Sequence, residues 1–158
     1  MTAPAATARQ DPSGIKFKNG YRSLITFEND PDIGLWEITV QFPGLDNGEG
    51  IDTTTQHNDR VRTKASRALV EVTDGQFTCA YDSNIFVLAL AQCGIEQEIT
   101  FRAPDGTTEA VYGYLKSLSR DPMQEGEMPT ATGVIVVTNE DPVSRAEEDP
   151  TVVNVSGT

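Results

Sequence analysis

Imidazole, indole and thiol groups are scarce in this chain, which has one His, one Trp and two Cys among 158 residues. With His57 the sole imidazole, a zinc site lacks the three or four convergent ligands it needs, because Cys79 and Cys93 fall in a separate strand-like and helix-like segment. A Gly-x-Ser-x-Gly elbow, a glycine-rich phosphate loop and a His-Glu-x-x-His helix are all absent, so the common hydrolase, nucleotide-binding and metalloprotease signatures are missing. Positive charge is scarce too. Twelve Lys and Arg stand against 24 Asp and Glu, for a net charge of −12. That balance argues against gripping nucleic acid, since affinity for phosphates comes from cations that neutralise them. The longest apolar run, Ile85 to Ala91, is far short of the roughly 20 residues that span a bilayer. Residues 1–14 have neither a basic leader nor an apolar run, so no secretory signal is read there and a soluble protein is expected. Without export the compartment is reducing, and Cys79 and Cys93 are expected to be buried free thiols.

What is present reads as one β-rich domain. Trp36, Ile38, Val40 and Phe42 alternate with Glu37, Thr39 and Gln41, the pattern of a half-buried strand whose apolar side enters the core. Ala68, Val70 and Val72 alternate with Arg67, Leu69 and Glu71, and Thr73-Asp74-Gly75 then predicts a hairpin turn into Phe77–Tyr81. Ile95, Gln97, Ile99 and Phe101 oppose Glu96, Glu98, Thr100 and Arg102. Pro104-Asp105-Gly106 turns that strand into a longer one over 108–118, with Val111, Gly113 and Leu115 on one face. Residues 130–138 are rich in β-branched side chains, and 151–155 form a candidate terminal strand. Between these, the acidic segment 140–150 reads as a linker. The fold class expected is mainly β: an antiparallel sandwich or partly open barrel with one flanking short helix and a long inter-strand loop. Its boundaries read as an arm over 1–20, a domain over 21–139 and an acidic tail over 140–158.

Two segments depart from that plain pattern. Asp82 or Ser83 can cap a helix that Gly94 closes, and its residues 85–91 leave no polar stripe. A helix apolar all round is normally covered on more than one side, and a neighbouring subunit is the simplest cover. The second segment, Pro43 to Asn58, separates two strands by more than the 4–6 residues usual for a connection. Its Gly, Asp and Thr content opposes a self-contained packed structure, so Pro43 to Thr63 is expected to be mobile in an isolated subunit and ordered by a partner. Asp46 to Asp52 has the acid-and-glycine rhythm of a calcium loop, yet Gly48 occupies the place of a second oxygen ligand. Glu96, Glu98, Glu109, Glu125 and Glu127 read as a solvated face, with nothing to mark a catalytic carboxylate pair.

The loop also carries a word order. Pro43-Gly44-x-Asp46-x-Gly48, then Ile51-Asp52-Thr53-Thr54-Thr55 and Asn58, then Arg62-Thr63-Lys64-Ala65, resembles the loop of the major tail tube proteins of long-tailed bacteriophages. The resemblance runs from Tyr21 to Asn139. It takes in Tyr81-Asp82, Phe101 with Pro104-Asp105-Gly106, Gly113-Tyr114-Leu115-Lys116-Ser117, Glu125-Gly126-Glu127 with Pro129, and Val136-Val137-Thr138-Asn139. It implies a non-enzymatic virion protein without cofactor, assembled in the host cytoplasm as hexameric rings. Those rings stack into a tail tube through which DNA passes unbound. The partners implied are other copies and the proteins at the tube ends, with no membrane. In that setting Pro43, Gly44, Asp46, Gly48, Ile51, Asp52, Thr53, Thr54, Thr55 and Asn58 form a ring-stacking loop, and Ile85, Phe86, Val87, Leu88 and Leu90 a subunit interface. Glu37, Thr39 and Gln41, opposite the apolar face of their strand, are expected to line the lumen. A tube subunit of a contractile or type VI-like injection device shares these features. A carbohydrate- or protein-binding sandwich needs an exposed aromatic platform, and the alternation places Trp36 inside.

Overall fold

A computed structural model describes residues 23–154; the expected arm over 1–20 and Val155 of the terminal strand lie outside them. The elements are β1 (Leu24–Phe27), β2 (Glu37–Gln41), β3 (Leu45–Asp46), β4 (Ile51–Asp52), β5 (Lys64–Ala65), β6 (Glu71–Val72), β7 (Gly75–Ala80), α1 (Ser83–Ala91), β8 (Gln97–Arg102), β9 (Thr108–Arg120), β10 (Thr130–Val137) and β11 (Thr151–Val153). The chain is mainly β, and its principal sheet is an antiparallel, strongly curled half-barrel in the order β1-β8-β9-β10-β7-β2. Of the two expected forms, this is the partly open barrel.

Alternation built the concave face. Ile99 and Phe101 of β8, Val111 and Leu115 of β9, Ile135 of β10 and Phe77 of β7 are almost wholly buried, with Phe27 from β1. Burial of each such side chain is worth about 1.5–3 kcal/mol. Room for the aromatics comes from glycine. Gly133 faces Phe77 directly across β10 and β7, and a Cβ there would collide with the ring. α1 covers this core with Ala89, while Ile85 and Phe86 pack partly buried against it. Asp82 caps the helix, its Oδ1 accepting from Asn84 N at 3.0 Å. At the other end Gly94, at φ +80°, brings its N–H to Leu115 O at 3.0 Å and ties the helix end to β9.

Four expectations are corrected. In β2 the pairing with β7 shifts between Glu37 and Thr39, so Glu37 faces Cys79, Thr39 faces Thr78, Val40 faces Phe77 and Gln41 faces Gln76. This bulge inverts the alternation on one side of itself. Val40 and Phe42 stay against the core, but Trp36 is 50% exposed, Ile38 is exposed, and Glu37 turns to the core side. Glu37, Thr39 and Gln41 therefore do not share a face. The strand expected over 67–72 is only Glu71–Val72, with Leu69 and Val70 exposed. Thr73-Asp74-Gly75 is not a hairpin turn, because β6 pairs β3 while β7 pairs β10 and β2. Cys79 is buried as expected, but Cys93 is exposed, its Sγ 3.3 Å from Leu115 O.

Register gives one further finding. β10 and β11 pair with successive stretches of the same edge of β9, β10 with 120 down to 113 and β11 with 110 down to 108. β11 thus continues the line of β10. The acidic segment between them is a hydrogen-bonded excursion, with Arg145 N donating to Asp141 O at 2.8 Å and Glu148 N to Asn139 O at 2.9 Å.

The half-barrel's two end strands, β1 and β2, share no ladder. A side chain joins them: Ile25 N, on the open edge of β1, donates to Glu37 Oε1 at 3.0 Å. Burial raises the Glu37 pKa above the ordinary glutamate value, and the Ile25 bond opposes the rise. A carboxyl with a raised folded-state pKa holds its proton more tightly folded than unfolded. Its contribution to stability is therefore full at low pH and declines as pH climbs from the unfolded value through the folded one.

Three outcomes are expected in urea unfolding. Glu37→Gln keeps an acceptor for Ile25 and removes the ionisation, so it matches or exceeds the native protein at neutral pH and flattens the stability profile above about pH 4. Glu37→Ala strands the Ile25 donor and costs about 1 kcal/mol. Gly133→Ala, which forces Phe77 to move, is expected to cost about 1–3 kcal/mol.

Candidate assembly surfaces

Three surfaces stand outside the core. The first is the arm over 44–73, which leaves the sheet where β2 ends and returns where β7 begins. It is not a loop without structure of its own, as its composition implies, but a ribbon of two short ladders: β3 with β6, and β4 with β5. Between them Asn47 stitches the two limbs, its Nδ2 donating to Arg67 O (2.9 Å) and Leu69 O (3.3 Å) and its Oδ1 accepting from Arg67 N (3.0 Å). An open groove of about 440 Å³ lies here, lined by Asp46 to Gly48 and Arg67 to Glu71. At the tip Thr53 N donates to Thr63 O at 3.0 Å and Asn58 Oδ1 accepts from Thr55 N at 2.9 Å. The two carboxylates weighed as calcium ligands are engaged locally: Asp46 Oδ1 accepts from Gly48 N (2.7 Å) and Asp52 Oδ1 from Thr54 N (2.9 Å). The Thr54 bonds hold the Asp52 pKa below the usual carboxylate value. His57 sits at the exposed tip, its N–H donating to Thr55 Oγ1 at 3.2 Å. Leu45, Ile51, Val61, Leu69 and Val70 are exposed along the ribbon.

The second surface is the outer side of α1, where Val87, Leu88 and Leu90 are exposed and Ile95 follows just beyond the helix. Of the five helix residues expected at an interface, these three face outward. Ile85 and Phe86 face the core, and Phe86 sits edge-on to Tyr81 with the Arg120 guanidinium 5.6 Å from its ring.

The third surface is the convex side of the sheet, and register shows what lies on it. Thr39, Thr78, Thr132 and Ser119 form one cross-strand row, and Gln41, Gln76, Val134 and Ser117 the next. Over β2, β7, β10 and the far half of β9 the convex side thus presents mostly hydroxyls and amides, with Asp121 accepting from Thr132 Oγ1 at 3.0 Å. Only Thr39 and Gln41 of the expected lumen residues belong to it. Its other members went unrecognised, though the alternating Thr and Ser of β7, β9 and β10 carried the signal. Among the described residues no group of His, Cys, Asp and Glu is placed to hold a metal ion, and no helix is long and apolar enough to cross a membrane.

No protein-family description and no curated protein matches the chain. Solved structures do. A chain of the virion of a native gene transfer agent particle superposes with a TM-score of 0.59 at 12% identity, over 87% of this chain and 99% of that one. This chain shares its fold with that virion chain. A chain of the anti-feeding prophage baseplate, in a six-fold symmetrised reconstruction, superposes with a TM-score of 0.54 at 10% identity, over 84% of this chain and 91% of that one. At such identities the likeness is one of fold.

Because Asn47 holds the limbs together at a distance from the core, Asn47→Ala is expected to speed hydrogen exchange at Arg67 roughly five- to tenfold. Global stability should move by less than about 0.5 kcal/mol.

Proposed function

We propose that this chain is a structural subunit of a phage-type particle, a ring former that stacks into a tail tube for genome delivery. The observation that carries the reading is the bare outer side of α1. Val87, Leu88 and Leu90 are exposed on a helix whose Ala89 is fully buried, so the element has one face for its own core and an apolar face for another subunit. The fold shared with a virion chain and a six-fold baseplate chain supports it. In this reading Gly44, Asp46, Gly48, Ile51, Asp52, Thr53, Thr54, Thr55 and Asn58 belong to the arm that contacts the next ring, while Pro43, buried, sits at its root and makes no such contact. Thr39 and Gln41, with Gln76 and Thr78, line the channel. Their hydroxyls and amides give DNA phosphates no cation to hold, so nucleic acid passes without counterion release.

The glycan-binding alternative regains one argument, since Trp36 is exposed rather than buried. It is a lone indole: the ring pairs among the described residues are Phe42–Phe101 and Tyr81–Phe86, neither of which includes it.

Negative-stain imaging and sedimentation of the purified protein test the reading. Rings or tubes are expected from the native chain. Val87→Asp and Leu88→Asp should stay folded, within about 0.5 kcal/mol, and sediment as monomers, whereas Ala89→Asp should not fold because its charge enters the core. Persistent native monomers, or full assembly by the Val87→Asp protein, would overturn it, and a monomer that binds glycans through Trp36 would favour the alternative.

A further inference from the structure

Charge is segregated along this chain. Residues 60–67 hold four cations, Arg60, Arg62, Lys64 and Arg67, and no carboxylate. In the remainder of residues 23–154, four cations face 23 carboxylates, five of which are on the rest of the arm over 44–73. The cations are gathered on the returning limb of the arm, interleaved with the exposed Val61 and followed by exposed Leu69 and Val70. The arm itself makes little use of them. Arg67 Nε donates to Glu49 O at 2.9 Å, and Arg62 lies 4.0 Å from Asp52 with both side chains well exposed, a pair of little strength. Arg60 and Lys64 have no ion pair among the described residues.

A matching surface exists on the body. Glu98 of β8 pairs directly with Tyr112 of β9. Asn139 N donates to Tyr112 O at 3.4 Å and Glu148 N to Asn139 O at 2.9 Å, so β8 and the excursion between β10 and β11 bring carboxylates to one place on the convex face. Desolvation chiefly raises the Tyr112 pKa, and Asp141, Glu98 and Glu148 add to the rise. Beside them Glu96 and Glu140 share Arg145, at 3.3 Å each. Apolar side chains border this ground as well: Ile95 and, almost fully exposed, Val143. Both surfaces thus combine charge with bare apolar area, in opposite sign.

We infer that the cationic limb of the arm docks on the acidic convex surface of a second copy of this chain. Among the described residues, the hydrogen bonds and ion pairs of 45–71 stay within the arm, so its charges are not spent on its own body. Two unlike patches on one chain make a heterologous contact, which passes from copy to copy instead of closing on a pair. Charge complementarity selects the partner and the register, and the flanking apolar residues supply the adhesion. The inference rests on the assembly reading and names the partner surface of its arm.

Sedimentation of the full chain across a salt series tests it, with three proteins: native, R60E/K64E, and E98K/E148K. The Debye length shrinks from about 10 Å at 0.1 M to about 3 Å at 1 M salt, so native assembly should weaken over that range. R60E/K64E and E98K/E148K should each remain folded by circular dichroism and need roughly tenfold more protein to assemble at low salt. An equimolar mixture of the two recovers assembly, because each supplies the complement of the other. That recovery is a readout that simple damage to either surface does not produce. If native protein assembles and R60E/K64E assembles equally well at low salt, the inference is overturned while the assembly reading stands. If native protein stays monomeric at every salt concentration, both fall. If R60E/K64E assembles normally but loses salt-sensitive binding to a single-stranded oligonucleotide that native protein binds, the limb is a nucleic-acid contact and the inference is overturned.

Discussion

A curled sheet keeps its curvature only if its concave side is filled, and here Phe27, Phe77 and Phe101 do the filling. Their size sets the rest. Gly133 has no Cβ because Phe77 occupies that volume, and Gly75 stands in the same relation to Phe101. With the rings in place, α1 sets only Ala89 fully inside, packs Ile85 and Phe86 partly buried against the core, and leaves Val87, Leu88 and Leu90 outside. Dispersion contacts in such a close-packed interior are individually small and collectively decisive.

Curling also brings the two end strands together without enough length to pair. A carboxylate does there what a backbone carbonyl does in a closed barrel, accepting the Ile25 N–H. Edges left open invite pairing with other chains, and this one is blunted by a half-buried acid, a β2 bulge and the neighbouring Trp36. The same bulge separates the polar residues of β2 into one that closes the fold and two that join the hydroxyl and amide rows of the convex face.

Most of the scaffold was legible in the sequence. β8, the Pro104-Asp105-Gly106 turn, β9, β10, β11 and the Asp82 cap follow from alternation and capping chemistry, because in each the local preference and the tertiary environment agree. Trp36 was misplaced since period-two alternation carries no warning of an inserted residue; only the pairing with β7 reveals it. Leu69 and Val70 read as strand because they are β-compatible and apolar, yet the ladder there lapses and Asn47 holds the limbs through side-chain bonds instead. The three outward residues of α1 were visible as an excess of apolar side chains, but which ones turn inward depends on the sheet beneath. The carboxylates around Tyr112 come from residues 98, 141 and 148, and no linear pattern brings such distant positions together.

Because β11 resumes the line of β10 on the same edge of β9, the chain between Asn139 and Thr151 begins and ends at points fixed by the sheet rather than by its own folding. Whatever length is spliced between them leaves both anchors in register. The position is a natural socket for elaboration: a peptide or a small module inserted at the tip near Val143 emerges on the convex side, and an ordered assembly would repeat it at regular intervals without asking the framework to change.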